Sequence, residues 1–258
     1  MTLNSQDRGL LLGDGIFETL LVLNNTALWR AEHLARMERA AAELGIAYDR
    51  AMINAAIDAH LSLDPHVLRL TLTRGLTPRG LASNGGDPTL LVSLDRFDTS
   101  LMFQPVTLAT SRIRRNEYAP SSRLKTLSYI DNIAAARETA PYEALMLNTA
   151  SHVASATIAN IFLLKDGELI TPARDQAILP GVMRGLLLEY FPHTERIIAP
   201  AELFTADAVF LTNSLGFIRP VTSLDGKPLR SADLTPQITK LCGLAKQQCK
   251  IDLRVVKD

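Results

Sequence analysis

Residues 113–122, IRRNEYAPSS, divide the sequence into two series of secondary-structure signals. The stretch is polar and carries Pro120, so neither strand nor helical periodicity runs through it. A chain of 258 residues, 47% of them hydrophobic, exceeds the usual size of one core and can fill two. The expected organisation is an N-terminal α+β domain over residues 1–112, a linker over 113–122 and a C-terminal domain over 123–258.

The first series opens with IFETLLVLN, a turn at Asn24 and Asn25, and TALW, which together read as a hairpin. In AEHLARMERAAAELGI, Leu34, Met37, Ala41 and Leu44 make one helical stripe, and Gly45 stands where a helix stops. A second helix is expected over residues 49–61, then strands VLRLTLTR, PTLLVSLDRF and VTLATSRI. The second series begins with a helix, LSYIDNIAAARETA, followed by strands EALMLN and ANIFLLK and a turn at Asp166 and Gly167. ILPGVMRGLLLEYFP reads as a loop ending at Gly181 and a helix stopped by Pro192; DAVFLTN and FIRPV are further strands. There is no regular βαβ alternation, so α+β layers are expected rather than a doubly wound sheet. The dinucleotide fingerprint G-x-G-x-x-G is missing.

Lys plus Arg number 27 and Asp plus Glu 27, so no net field draws in nucleic acid or an anionic membrane, and a small-molecule partner is expected. The start, MTLNSQDRG, has no basic-then-apolar pattern, and runs such as ANIFLL are too short to span a bilayer. A cytoplasmic location without membrane attachment is the expectation. Cys242 and Cys249 lie two turns apart on one face of a helical pattern and read as core thiols, with no metal site.

None of the seven lysines precedes Lys125. The other six flank DG turns or lie on the C-terminal helix and tail, where solvated charge explains them. Lys125 lies between Leu124 and Leu127 at the expected entry to a helix, a setting that can desolvate an amine and equip it for Schiff-base chemistry. Context alone favours a snorkelling structural lysine. Phosphate recognition has three candidates. The helix after Leu179-Pro180-Gly181 would offer the amides of Val182 and Met183; Arg36 lies on the first amphipathic helix; Ser214 follows a strand. Singly, each signal is weak: a solvated face is the ordinary reading of Arg36, and local backbone satisfaction that of a strand-end serine such as Ser214.

DRGLLLGDGIFETLL, EHLARM, TRGLTPRG, RLKTLSY, ANIF, LPGVMR and NSLGFIRPV occur in the order seen in the fold-type IV enzymes that use pyridoxal phosphate. From about Asp7 through Leu229 the chain resembles that family, which includes branched-chain and D-amino-acid aminotransferases and aminodeoxychorismate lyase. The resemblance implies a homodimer with a smaller N-terminal α/β-layer domain and a larger strand-rich, pseudobarrel C-terminal domain. It places pyridoxal 5'-phosphate in the cleft between the domains, near the subunit interface. Lys125 then resembles the lysine that forms the Schiff base and moves the proton, and Arg36 the phosphate-binding arginine. Val182, Met183 and Ser214 would complete the phosphate cup. Tyr129 resembles the tyrosine beside the phenolic oxygen, with a packed helix tyrosine as the alternative. Arg79 matches the arginine that grips the substrate carboxylate in D-amino-acid aminotransferases, and Arg74 flanks the same turn; both are equally readable as structural.

Two departures shape the expected reaction. The family's glutamate on the pyridine nitrogen is replaced by Ser155, which cannot hold that proton and weakens the electron sink. Only six residues precede Asp7, where the family has a further strand. FET and NSL resemble the aminodeoxychorismate lyase branch, whose reaction releases pyruvate and leaves 4-aminobenzoate for folate synthesis. Aromatisation would drive that elimination, so a lyase tolerates Ser155 better than a transaminase does. The alternatives are a D-amino-acid or branched-chain aminotransferase, and a pyridoxal-phosphate-binding relative that has lost activity.

Overall fold

A computed structural model describes residues 3–82 and 85–254, which fall into two compact units. The first holds the residues up to Asp98 together with 124–128 and 245–251; the second holds 99–123, 129–244 and the residues from Asp252 onward.

In the first unit, α1 (Arg8–Leu12), β1 (Gly15–Leu23), β2 (Thr26–Ala27), α2 (Arg30–Leu44), α3 (Arg50–Asp58), β3 (His66–Leu76) and β4 (Asp87–Arg96) follow in order. The sheet runs β2-β1-β3-β4 with antiparallel neighbours, and β1 faces β3 from Gly15↔Thr73 to Val22↔His66. Asn24 and Asn25 take φ of 48° and 58°, the left-handed pair that a tight hairpin turn requires. The alternation in β1 and β3 sends Ile16, Leu20, Val22, Leu68, Leu70 and Leu72 to one face, where Leu34, Met37, Ala40 and Ala41 of α2 and Ile53 and Ile57 of α3 cover them. Helix α2 stops at Gly45, φ 64°, and α3 starts on Asp49, whose carboxylate accepts from the amides of Ala51 and Met52.

The second unit carries β5 (Val106–Arg115), α4 (Pro120–Arg123), α5 (Ile130–Thr139), β6 (Glu143–Asn148), β7 (Val153–Ala156), β8 (Asn160–Lys165), β9 (Glu168–Pro172), α6 (Val182–Tyr190), β10 (His193–Arg196), β11 (Ala208–Asn213), β12 (Phe217–Leu224) and β13 (Lys227–Pro228). Helix α7 is Thr235–Cys249. The sheet order is β10-β9-β8-β11-β12-β5-β6-β7, with β13 on β12, and it curls so that β7 returns against β8 and β9. Leu108, Leu145, Val153, Ile161, Leu163, Val209, Leu211 and Val221 fill its core. This α+β architecture of two curled sheets agrees with the expected fold class. VTLATSRI, read from sequence with the first series, forms β5 of the second sheet, paired in parallel with β12 and β6. Its alternation marks a strand but not which sheet it joins. Among the described residues no helix is long and apolar enough to cross a membrane.

Candidate active site

Lys125 is not at a helix entry, as the sequence pattern suggested: α5 begins at Ile130, and Lys125 lies in the short connection after α4, which bridges to the start of β1 at Thr126. The amide of Phe17 donates to the carbonyl of Lys125 at 2.9 Å and that of Leu127 to Gly15 at 3.0 Å, with Ile16 bridged to Thr126. Gly15 permits this approach, because a Cβ there would lie 2.8 Å from both the Leu127 side chain and the Leu72 carbonyl. The pairing turns Leu124 into the apolar core and sets Lys125 on the face that carries Phe17. Lys125 Nζ lies 4.1 Å from the centre of the Phe17 ring, and the guanidinium carbon of Arg69 lies 3.7 Å from the same centre.

Lys125 as a residue keeps some solvent exposure, but its amine is crowded by protein atoms. That burial lowers its pKa to about 7; Glu18 pulls the other way, and Arg36 and Arg69 add to the lowering. Near neutral pH a substantial fraction is therefore the free amine, the form that attacks a carbonyl.

A buried charge cluster acts on it electrostatically. Glu18 is in phase with Ile16, Leu20 and Val22 and so points into the first unit's core. Arg36 donates from Nε to Glu18 Oε1 and from Nη2 to Oε2, both at 2.7 Å, and His33 Nδ1 lies 2.7 Å from Oε2. Burial alone would raise the Glu18 pKa, but Arg36 and then His33 hold it far below the carboxylate range. Burial keeps His33 below its ordinary value, so the neutral ring carries its proton on Nδ1 and donates it to Glu18. Arg36 is thus no solvated face residue. Glu18, His33 and Arg69 were not singled out from the sequence, although a lone carboxylate in the inward phase of IFETLLV is a legible signal.

Arg74 takes the structural alternative. It pairs with Asp14 through Nε at 2.8 Å and donates to the carbonyls of Leu44 and Gly45 at 2.6 and 2.7 Å, closing the end of α2. Those bonds are all within the first unit. Arg79 is exposed and makes no hydrogen bond or ion pair among the described residues.

In the second unit, Tyr129 stands at the start of α5, half-buried. Arg115, held by the carbonyls of Ala177 and Ser122 at 2.6 and 2.7 Å, has its pKa lowered by burial, and the charges of Tyr129 and Asp131 oppose that shift. Ser155 on β7 is buried, its hydroxyl donating to the carbonyl of Ala156 at 2.9 Å. Val182 and Met183 open α6 behind Gly181, whose missing side chain leaves room for Asn160, 2.1 Å from where a Cβ would stand. Ser214 follows Asn213, whose side-chain oxygen accepts from the amides of Leu215 and Gly216 at 3.0 and 2.7 Å and so shapes the turn.

The profile of the amino-transferase class IV family matches residues 15–224, most of the chain. The chain belongs to this enzyme family. Within class IV, it is 32% identical over 237 residues to an aminodeoxychorismate lyase of Bacillus subtilis (strain 168), covering 85% of this chain and 80% of that one. A D-alanine aminotransferase of Bacillus licheniformis is 26% identical over 246 residues, covering 88% and 84%. The crystal structure of 4-amino-4-deoxychorismate lyase from Pseudomonas aeruginosa superposes with a TM-score of 0.83 at 33% identity, over 93% of this chain and 94% of that one. Class IV relatives of this chain thus include both lyases and aminotransferases.

Proposed function

We propose that the chain binds pyridoxal 5'-phosphate covalently through Lys125 and acts as a 4-amino-4-deoxychorismate lyase, forming 4-aminobenzoate and pyruvate. The carrying observation is Lys125 itself, an amine whose pKa burial lowers to about 7 and on which the charge of a buried, clamped arginine acts. These residues suit an aldehyde cofactor with a phosphate arm: the amine can be neutral when it attacks, and Arg36 keeps a fixed positive charge. Bound there, pyridoxal phosphate supplies an electron sink for bonds broken at the substrate's amine-bearing carbon. Lys125 Nζ holds the cofactor, takes the proton from the substrate and returns one as the ring becomes aromatic. Arg36 would bind the phosphate, with the amides of Val182 and Met183 and the hydroxyl of Ser214 as further donors. Tyr129 would bond the phenolic oxygen, Ser155 would stand in for the family's glutamate at the ring nitrogen, and Arg79 would meet a substrate carboxylate.

Ser155 favours a lyase over a transaminase. A neutral hydroxyl, here donating to Ala156, lacks the negative charge that keeps the ring nitrogen protonated, so long-lived charge delocalisation is weakened. The lyase relatives, at 32% and 33% identity, support the same choice. An aminotransferase is the second reading, favoured by the D-alanine aminotransferase relative that covers 88% of the chain. Incubation with 4-amino-4-deoxychorismate should release 4-aminobenzoate, while amino acids alone should convert the cofactor to its amine form slowly or not at all. Rapid conversion by an amino acid would favour the aminotransferase. The same reading makes the protein a cytoplasmic homodimer serving folate biosynthesis. Leu10, Leu11 and Leu12 of α1 and Leu81 are half or more exposed, an apolar surface that suits coverage by a second subunit.

A further inference from the structure

The cluster around Glu18 does more than satisfy a buried arginine. Glu18 and Arg36 meet through two parallel bonds of 2.7 Å, an arrangement that fixes the guanidinium plane as well as its position. His33, fully buried on α2, holds the second carboxylate oxygen from the side. The charged and titratable groups that act on Lys125 come from three elements: Glu18 on β1, His33 and Arg36 on α2, and Arg69 on β3. Tyr48, just after α2, also feels the Glu18 charge. Among the groups acting on Lys125, Glu18 is the anion.

We propose that Glu18 is the positioning residue of this site, fixing Arg36 in one orientation toward a phosphate, with His33 holding the carboxylate in place. The proposal rests on the pyridoxal phosphate reading. Glu18 itself need touch neither substrate nor cofactor.

The full chain is freed of any carbonyl cofactor with phenylhydrazine, and its affinities for pyridoxal phosphate and for pyridoxal are measured. Glu18→Gln should lower the first by about tenfold or more and leave the second nearly unchanged, because only the phosphate meets Arg36. Equal weakening of both overturns the positioning role and marks Glu18 as merely structural.

Where Glu18→Gln does not fold, Glu18→Asp keeps the charge but is too short for both bonds. It should lose the preference for the phosphorylated ligand, and an intact preference overturns the proposal. A wild-type protein that binds both ligands equally refutes instead the phosphate reading of Arg36 on which the proposal rests.

Discussion

Lys125 lies opposite Phe17 across the short bridge between residues 124–127 and β1, its Nζ 4.1 Å from the ring centre. The first strand thus fixes the lysine through main-chain hydrogen bonds and covers its amine with a ring. Burial penalises only the charged amine.

The amine should therefore destabilise the fold in proportion to its protonation. Its pKa falls from the ordinary 10.5 to about 7 in the folded chain, so the unfolded chain binds more protons between those values and stability from this group rises with pH across that window. Lys125→Met should raise the melting temperature of the cofactor-free protein most below pH 7 and hardly at all above about pH 10.5. Thermal scans at pH 6, 8 and 10, by circular dichroism, check the trend. A stabilisation independent of pH would contradict the buried amine.

Arg74 and Arg79 should behave oppositely although both sit in TRGLTPRG. Arg74→Met leaves Asp14 with Arg8 alone and the Leu44 and Gly45 carbonyls without their guanidinium donor, and should cost about 2–3 kcal/mol in urea unfolding. Arg79→Ala, at an exposed position, should change stability by no more than about 0.5 kcal/mol and act, if anywhere, on KM. A stable Arg74→Met variant with a raised KM would restore Arg74 as a substrate ligand.

How much of this was legible follows from the kind of signal each residue leaves. The strand alternation in IFETLLV, the Asn24–Asn25 turn and the stop at Gly45 are local, and the sequence pattern located them. Lys125 stood out by lysine distribution, but its pairing with β1 was hidden because its partner lies about a hundred residues earlier. For the same reason β5 was grouped with its neighbours in sequence rather than with β6 and β12. The Arg36–Glu18–His33 cluster joins α2 to β1, and spacing along either element says nothing about which side chains meet across them. Arg74's bonds to Leu44 and Gly45 are equally non-local.

Ser155 controls the balance between elimination and amino transfer on the proposed reading. Ser155→Glu introduces a carboxylate at a buried position and should lower the stability of the cofactor-free protein, with part of the loss recovered on adding pyridoxal phosphate. Conversion of the cofactor by amino acids should accelerate, as followed by stopped-flow absorbance. Acceleration without recovery of stability would mean that the new carboxylate does not meet the ring nitrogen.

Leu10, Leu11 and Leu12 are 59%, 61% and 50% exposed, and the Arg8 guanidinium draws the carbonyls of Gly80 and Leu81 against the same helix. If a second copy covers this surface, sedimentation velocity at micromolar concentration should give a dimer, and Leu11→Glu should shift it toward monomer. A wild-type monomer would contradict the assembly.

The most direct test of the whole account is chemical. The purified protein, saturated with pyridoxal phosphate, is reduced with borohydride, digested and mapped by mass spectrometry. The phosphopyridoxyl label should sit on Lys125, in the peptide containing RLKTLSY, and Lys125→Ala should abolish it. A label on another lysine, or no label at saturating cofactor, would contradict the central claim that Lys125 carries the chemistry.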